Sequence, residues 1–170
     1  MSSVSFEQTD ERSEEVKKVR KAEGDIFKVP LDETYHTYAV SLLHPLFGFF
    51  DARTSKEIEP EEIEKSAIIF SVWVMDYAAK DGLWTKIGRT ENFLDYKRDH
   101  RVFKQDVLSG RITSYCDRDG SEFPIDYETA CNMEAAAVWD PHHVEERLRD
   151  HFAGKSNRWV ESLRPRQGNS

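Results

Sequence analysis

Cysteine is nearly absent from this chain: Cys116 and Cys131 are its only two. They show neither CxxC spacing nor the dense, even pattern of a disulfide framework, which excludes a stapled secreted scaffold. Free thiols suit a reducing cytoplasm. No apolar run approaches the roughly 20 residues that a membrane-spanning helix needs. The longest, Ala67 to Met75, is interrupted by Ser71 and reads as a strand. Met1 to Glu23 is polar and charged, unlike a secretory signal, so a cytoplasmic protein is expected. A basic excess is also missing. The 24 Lys and Arg face 32 Asp and Glu, for a net charge of −8. A nucleic-acid binder needs a basic face to displace phosphate counterions, so that class is set aside. Walker loops, GxGxxG, HExxH and GxSxG do not occur.

What the chain does have is charge, aromatics and a length suited to one core. At 170 residues it can bury one real core but hardly two. Charged residues make up 33% and aromatics 12%, which fits a folded domain with solvated arms. The acidity is uneven. Residues 1–64 carry 8 Lys and Arg against 15 Asp and Glu, while the rest is almost balanced at 16 against 17. That asymmetry suits a protein meeting a basic partner, and serves solubility equally well.

Residues 1–23 read as a charged N-terminal arm, with Glu14 and Lys18 at helical pairing distance. Order is expected from Gly24. Asp25 to Val29 is strand-like and stops at Pro30; Thr34 to Leu43 and Leu46 to Ala52 continue as two more strands, giving an antiparallel meander. Glu57 to Lys65 is an acidic stretch broken by Pro60, fit for one short helical turn. Ala67 to Met75 should be a central strand. Asp81-Gly82 signals a turn, which predicts a hairpin pairing it with Leu83 to Gly88. Gly110 to Cys116 reads as another strand closed by Asp119-Gly120. Thr129 to Val138 fits helix or strand. Asp140-Pro141 is a strong helix start, an N-cap followed by proline at the first helical position. Val144, Leu148 and Phe152 would then share one buried face, and Gly154 would end the helix. The expected core combines Phe27, Val40, Phe50, Ile69, Val72 and Ile87 with that helical face. Residues 155–170 read as a tail.

Several groups invite chemistry. Asp117 to Gly120 suggests a calcium loop, but aligning Gly120 as its sixth position puts Tyr115 first, where a carboxylate is required; a hairpin turn fits better. His142 and His143 point about 100° apart on a helix and cannot chelate one metal together. His142 with Glu146 has usable spacing but no evident third ligand. Cys131 matches no nucleophile signature and suits a small packing residue. Asp51, Asp76 and Glu134 lie by strand-like segments, where they could converge on a pocket or cap turns. The run Glu57, Glu59, Glu61, Glu62 and Glu64 is either a solvated turn or a polyanion mimic able to enter a basic cleft.

Six stretches in order resemble the immunity protein 26 family of bacterial polymorphic toxin systems. They are Gly24 to Leu31; Tyr38-Ala39-Val40; Phe49-Phe50-Asp51; Ile69 to Met75 leading to Trp84 to Gly88; Phe103 to Asp106; and Glu134 to Trp139 leading to Val144 to Leu148. The chain departs from the family where Asn132-Met133-Glu134 replaces a Gly-Leu-Glu-like run. The resemblance implies an α+β, mainly β fold, expected as a strongly bent antiparallel sheet, open or closed into a barrel, with a C-terminal helix. It implies one domain over residues 24–154 that binds and neutralises a cognate toxin. It implies no enzymatic activity and supplies no catalytic residues; neither a cofactor nor a metal is expected. Nucleic acid and membrane are not expected partners; the toxin is, with a basic active-site surface. Glu59, Glu61 and Glu62 are the interface candidates by charge, and Trp84 by its ring. A small enzyme or ligand-binding domain is the alternative.

Overall fold

A computed structural model describes residues 21–96 and 100–168; the N-terminal arm expected at residues 1–23 lies outside them up to residue 20. Three strands open the fold: β1 (Asp25–Pro30), β2 (His36–Ser41) and β3 (Leu46–Phe50). All but Lys28 and Pro30 are buried, so these mostly apolar strands are covered on both faces. The acidic turn α1 (Pro60–Ile63) leads into β4 (Ile68–Val74). A second helical turn, α2 (Tyr77–Lys80), precedes β5 (Thr85–Arg89), and α3 (Phe93–Tyr96) follows. The second half supplies β6 (Val102–Gln105), β7 (Ile112–Tyr115) and β8 (Glu122–Pro124). Then come α4 (Tyr127–Cys131), the two-residue strands β9 (Glu134–Ala135) and β10 (Val138–Trp139), the long helix α5 (Pro141–Phe152) and α6 (Arg158–Ser162).

The strands form two open sheets, ordered β10-β4-β3-β2-β1-β5 and β8-β7-β6-β9. The fold is mainly β with short helices, as expected, but it is not a barrel and not wholly antiparallel. Each sheet keeps two edges, and β10 on β4 and β9 on β6 are parallel pairs. The meander β1-β2-β3 extends through β4 in antiparallel register, Phe47 opposite Val72 and Gly48 opposite Ser71. The hairpin expected between β4 and β5 does not form. Backbone N–H of Met75 donates to the Trp139 carbonyl, the chain turns through α2, and β5 pairs with β1 at the far edge. The Asp81-Gly82 turn is real, with Gly82 at φ 71°, but it ends a helical turn and joins no paired strands.

One face of the first sheet and α5 enclose Phe27, Phe47, Phe49, Val72, Trp84, Val144 and Leu148. The other face buries Ile26, Tyr38, Val40, Phe50 and Ile63. Of the expected core, Ile69, Ile87 and Phe152 are only half-buried. Helix α5 begins where Asp140 and Pro141 predict. The Asp140 carboxylate accepts from the His142 N–H at 2.8 Å and from the Tyr77 hydroxyl at 2.6 Å, tying α2 to the start of α5. Asp140 sits below the ordinary carboxylate range for the same reason, and Tyr77 is pushed up to about 12. Within residues 155–168, Asn157 caps α6, and Trp159, Val160 and Leu163 pack against the α5 side of the core.

Candidate interaction surface

The acidic turn is anchored from below. Ile63 is fully buried against Ile26, Tyr38 and Phe50. Gly88 of the edge strand β5 passes so close that a Cβ there would lie 2.8 Å from Pro60 Cγ. Glu59 closes the turn through its carbonyl, which accepts from the N–H groups of Glu62 and Ile63. Apolar anchors therefore hold α1 on the sheet while Glu59, Glu61 and Glu62 stand exposed. Glu62 pairs with Lys65. Among the described residues Glu59 and Glu61 have no ion-pair partner. The flanking acids are engaged: Glu57 with Lys28 at 2.9 Å, which holds it below the usual range, and Glu64 with the Asn92 amide at 2.8 Å. The trio named from sequence is thus brought together on one rigid, solvated turn.

Trp84 is a core residue, not a surface anchor. It is 1% exposed, its ring meets Phe47 and Phe49 edge-on, and its indole N–H donates to Glu145 at 2.9 Å. Glu145 is itself buried on α5. Its burial depends on partners distant in sequence: Phe47 and Phe49 on β3, and Glu145 on α5, 61 residues later.

The remaining chemical candidates are dispersed. Asp51 faces His151, Asp76 binds Lys80 at 2.7 Å, and Glu134 accepts a bidentate contact from Arg147, whose guanidinium lies over Phe70. The three carboxylates have separate partners and serve structure. Cys131 is exposed, not a packed thiol, and lies beside Tyr127. His142 meets Glu145 and not Glu146, which binds Arg158 and Trp159; His143 stacks on Trp159 at 3.6 Å. No cluster of His, Cys, Asp and Glu fit to hold a metal occurs among the described residues. Asp117 to Gly120 is a hairpin turn: the Ser121 side chain and then its N–H hold Asp119 at about 2, Gly120 takes φ 71°, and Asp117 receives the Trp73 indole N–H. Sequence reasoning did not single out the β6–β7 turn, where Asp106 caps the loop and leaves Val107 and Leu108 93% and 97% exposed.

The geometry thus sets Glu59, Glu61 and Glu62 together on one exposed turn of a two-sheet scaffold. The chain belongs to the immunity protein 26 family, whose model matches residues 22–113. That match contains α1 and runs from β1 into β7; the stretches Glu134 to Trp139 and Val144 to Leu148 lie beyond it. No curated protein and no solved structure matches the chain. Among the described residues no helix is long and apolar enough to cross a membrane.

Proposed function

We propose that this immunity protein neutralises its toxin in the cytoplasm by binding it one to one, with the α1 turn set against a basic surface around the toxin's active site. Family membership supports a toxin partner. The observation that carries the assignment of the surface is the anchoring of Glu59, Glu61 and Glu62, which are exposed while Ile63 beneath them is fully buried. Like charges held together on a fixed turn create a local negative potential without further ordering on binding, and such a patch steers a basic partner into contact. Individual exposed ion pairs contribute little, about 0.2–1 kcal/mol each, so the main effect falls on association rate and on its sensitivity to salt.

The triple variant Glu59→Lys, Glu61→Lys, Glu62→Lys tests this. Folding should survive, because all three side chains are in solvent. At low salt the association rate with the toxin domain should drop by roughly tenfold or more, within the usual range of steering effects. The difference should shrink as ionic strength rises. An unchanged rate and affinity at low salt would remove the acidic turn from the interface and leave toxin binding to another face.

A further inference from the structure

Strands β6 and β7 form a hairpin whose tip begins at Asp106. Turns are served by Gly, Asn, Asp and Ser, and nothing in their backbone geometry calls for aliphatic side chains. Val107 and Leu108 nevertheless stand there side by side, 93% and 97% exposed, and neither belongs to the three apolar clusters of the core. Scattered single aliphatics on a surface are ordinary; an adjacent pair almost wholly in solvent is a concentrated apolar spot. The tip is also held in one shape. The Asp106 carboxylate accepts from the Leu108 N–H at 3.0 Å, the Ser109 N–H at 2.6 Å and the Ser109 hydroxyl at 2.9 Å. The Gly110 N–H donates to the Asp106 carbonyl, the Asp106 N–H donates to the Arg111 carbonyl, and Gly110 takes φ 71°. At the base, Gln105 grips the backbone of Arg166: its Nε2 donates to the Arg166 carbonyl at 2.7 Å, and its Oε1 accepts from the Arg166 N–H at 2.8 Å. The C-terminal segment thus braces the hairpin. A loop ordered beforehand loses little freedom when it binds.

We propose that Val107 and Leu108 form an apolar anchor that inserts into a pocket on the toxin, as a contact additional to the acidic turn. The proposal rests on the toxin partner that family membership implies. A convex tip is buried only by a concave surface. Two such tips meeting symmetrically would bury about a few hundred Å², well short of the roughly 1,000 Å² of a stable interface, so pairing of two copies tip to tip is not expected. A lipid surface is disfavoured by the net charge of −8 and by Asp106 within the tip, because anionic headgroups attract basic flanks. The two contacts act on different steps. Charge on α1 governs arrival, and a buried aliphatic pair governs departure.

Binding kinetics of the full chain with a purified cognate toxin domain test the anchor. The double variant Val107→Ser, Leu108→Ser should melt with the wild type, because both side chains are in solvent. Its dissociation from the toxin should quicken by about a hundredfold or more, the effect of losing two buried aliphatic side chains. Its association rate should stay near wild type, and the loss should be the same at low and high salt. The double variant Val107→Ile, Leu108→Met keeps the apolar character and should keep slow dissociation. Wild-type dissociation by the serine variant would overturn the anchor and leave the acidic turn untouched. A wild-type chain that binds no toxin would sink both readings. Self-association, or binding to phosphatidylcholine–phosphatidylserine vesicles, that the serine variant loses while toxin binding is unchanged would overturn the anchor in favour of a second copy or a lipid surface.

Discussion

At the scale of single residues, two buried polar side chains make opposite predictions. Trp84 and Glu145 satisfy each other inside the core. Trp84→Phe leaves the Glu145 carboxylate without its indole donor and opens a small void, which should cost about 2–3 kcal/mol of stability. Chemical denaturation measures that loss. Affinity for the toxin should stay unchanged in the folded fraction, since Trp84 has no surface to offer; lost affinity at full stability would contradict its place in the core. Lys21 works the other way. Its pKa is about 8 folded against an ordinary 10.5, so the unfolded chain binds more protons between those values and stability rises across that window. Below pH 8 the full desolvation cost is present. Lys21→Met should therefore raise the melting temperature at pH 7, and the gap should close toward pH 10.5. A constant gap across that range would show that burial of the charge is not the cause.

Elements explain where sequence reading works and where it stops. The Asp140-Pro141 start of α5, the Pro60 turn and the strands of the meander rest on local rules, capping, ring geometry and β-branched or aromatic runs, and the structure follows them. The β4–β5 hairpin fails because Asp81-Gly82 specifies a local reversal and nothing about which edge the next strand will join. The two-residue strands β9 and β10 carry no period that a sequence could show, and they exist because an edge was open to them. At the candidate site, the composition of the acidic turn was legible, but its anchoring was not. That depends on Ile63 meeting β1, β2 and β3 residues and on Pro60 meeting Gly88 of a distant strand. The same packing gives an element-scale prediction. Gly88→Ala drives a methyl group into the Pro60 ring, which cannot swing aside as a flexible side chain would. The variant should lose about 1–3 kcal/mol, the usual penalty for overpacking. Hydrogen exchange should quicken in α1 before it does in β2. Wild-type exchange in α1 would mean that the turn is not held by this contact.

For the whole molecule, the family-matched stretch shares its core with α5, which lies beyond the match. Residues 22–113 match the family, yet Val144 and Leu148 of α5 fill the core between Phe27, Val72 and Trp84. The later segment thus completes the scaffold that presents α1. Immunity by direct binding requires one equivalent of this protein for each toxin, whereas an enzyme that disarmed the toxin or its product would act in lesser amounts. Calorimetric titration of a purified cognate toxin domain, with residual toxin activity assayed at each point, separates the two. Saturation at one equivalent, with activity falling in step, is the predicted result. Full protection from a small fraction of an equivalent, or protection without any complex, would contradict it.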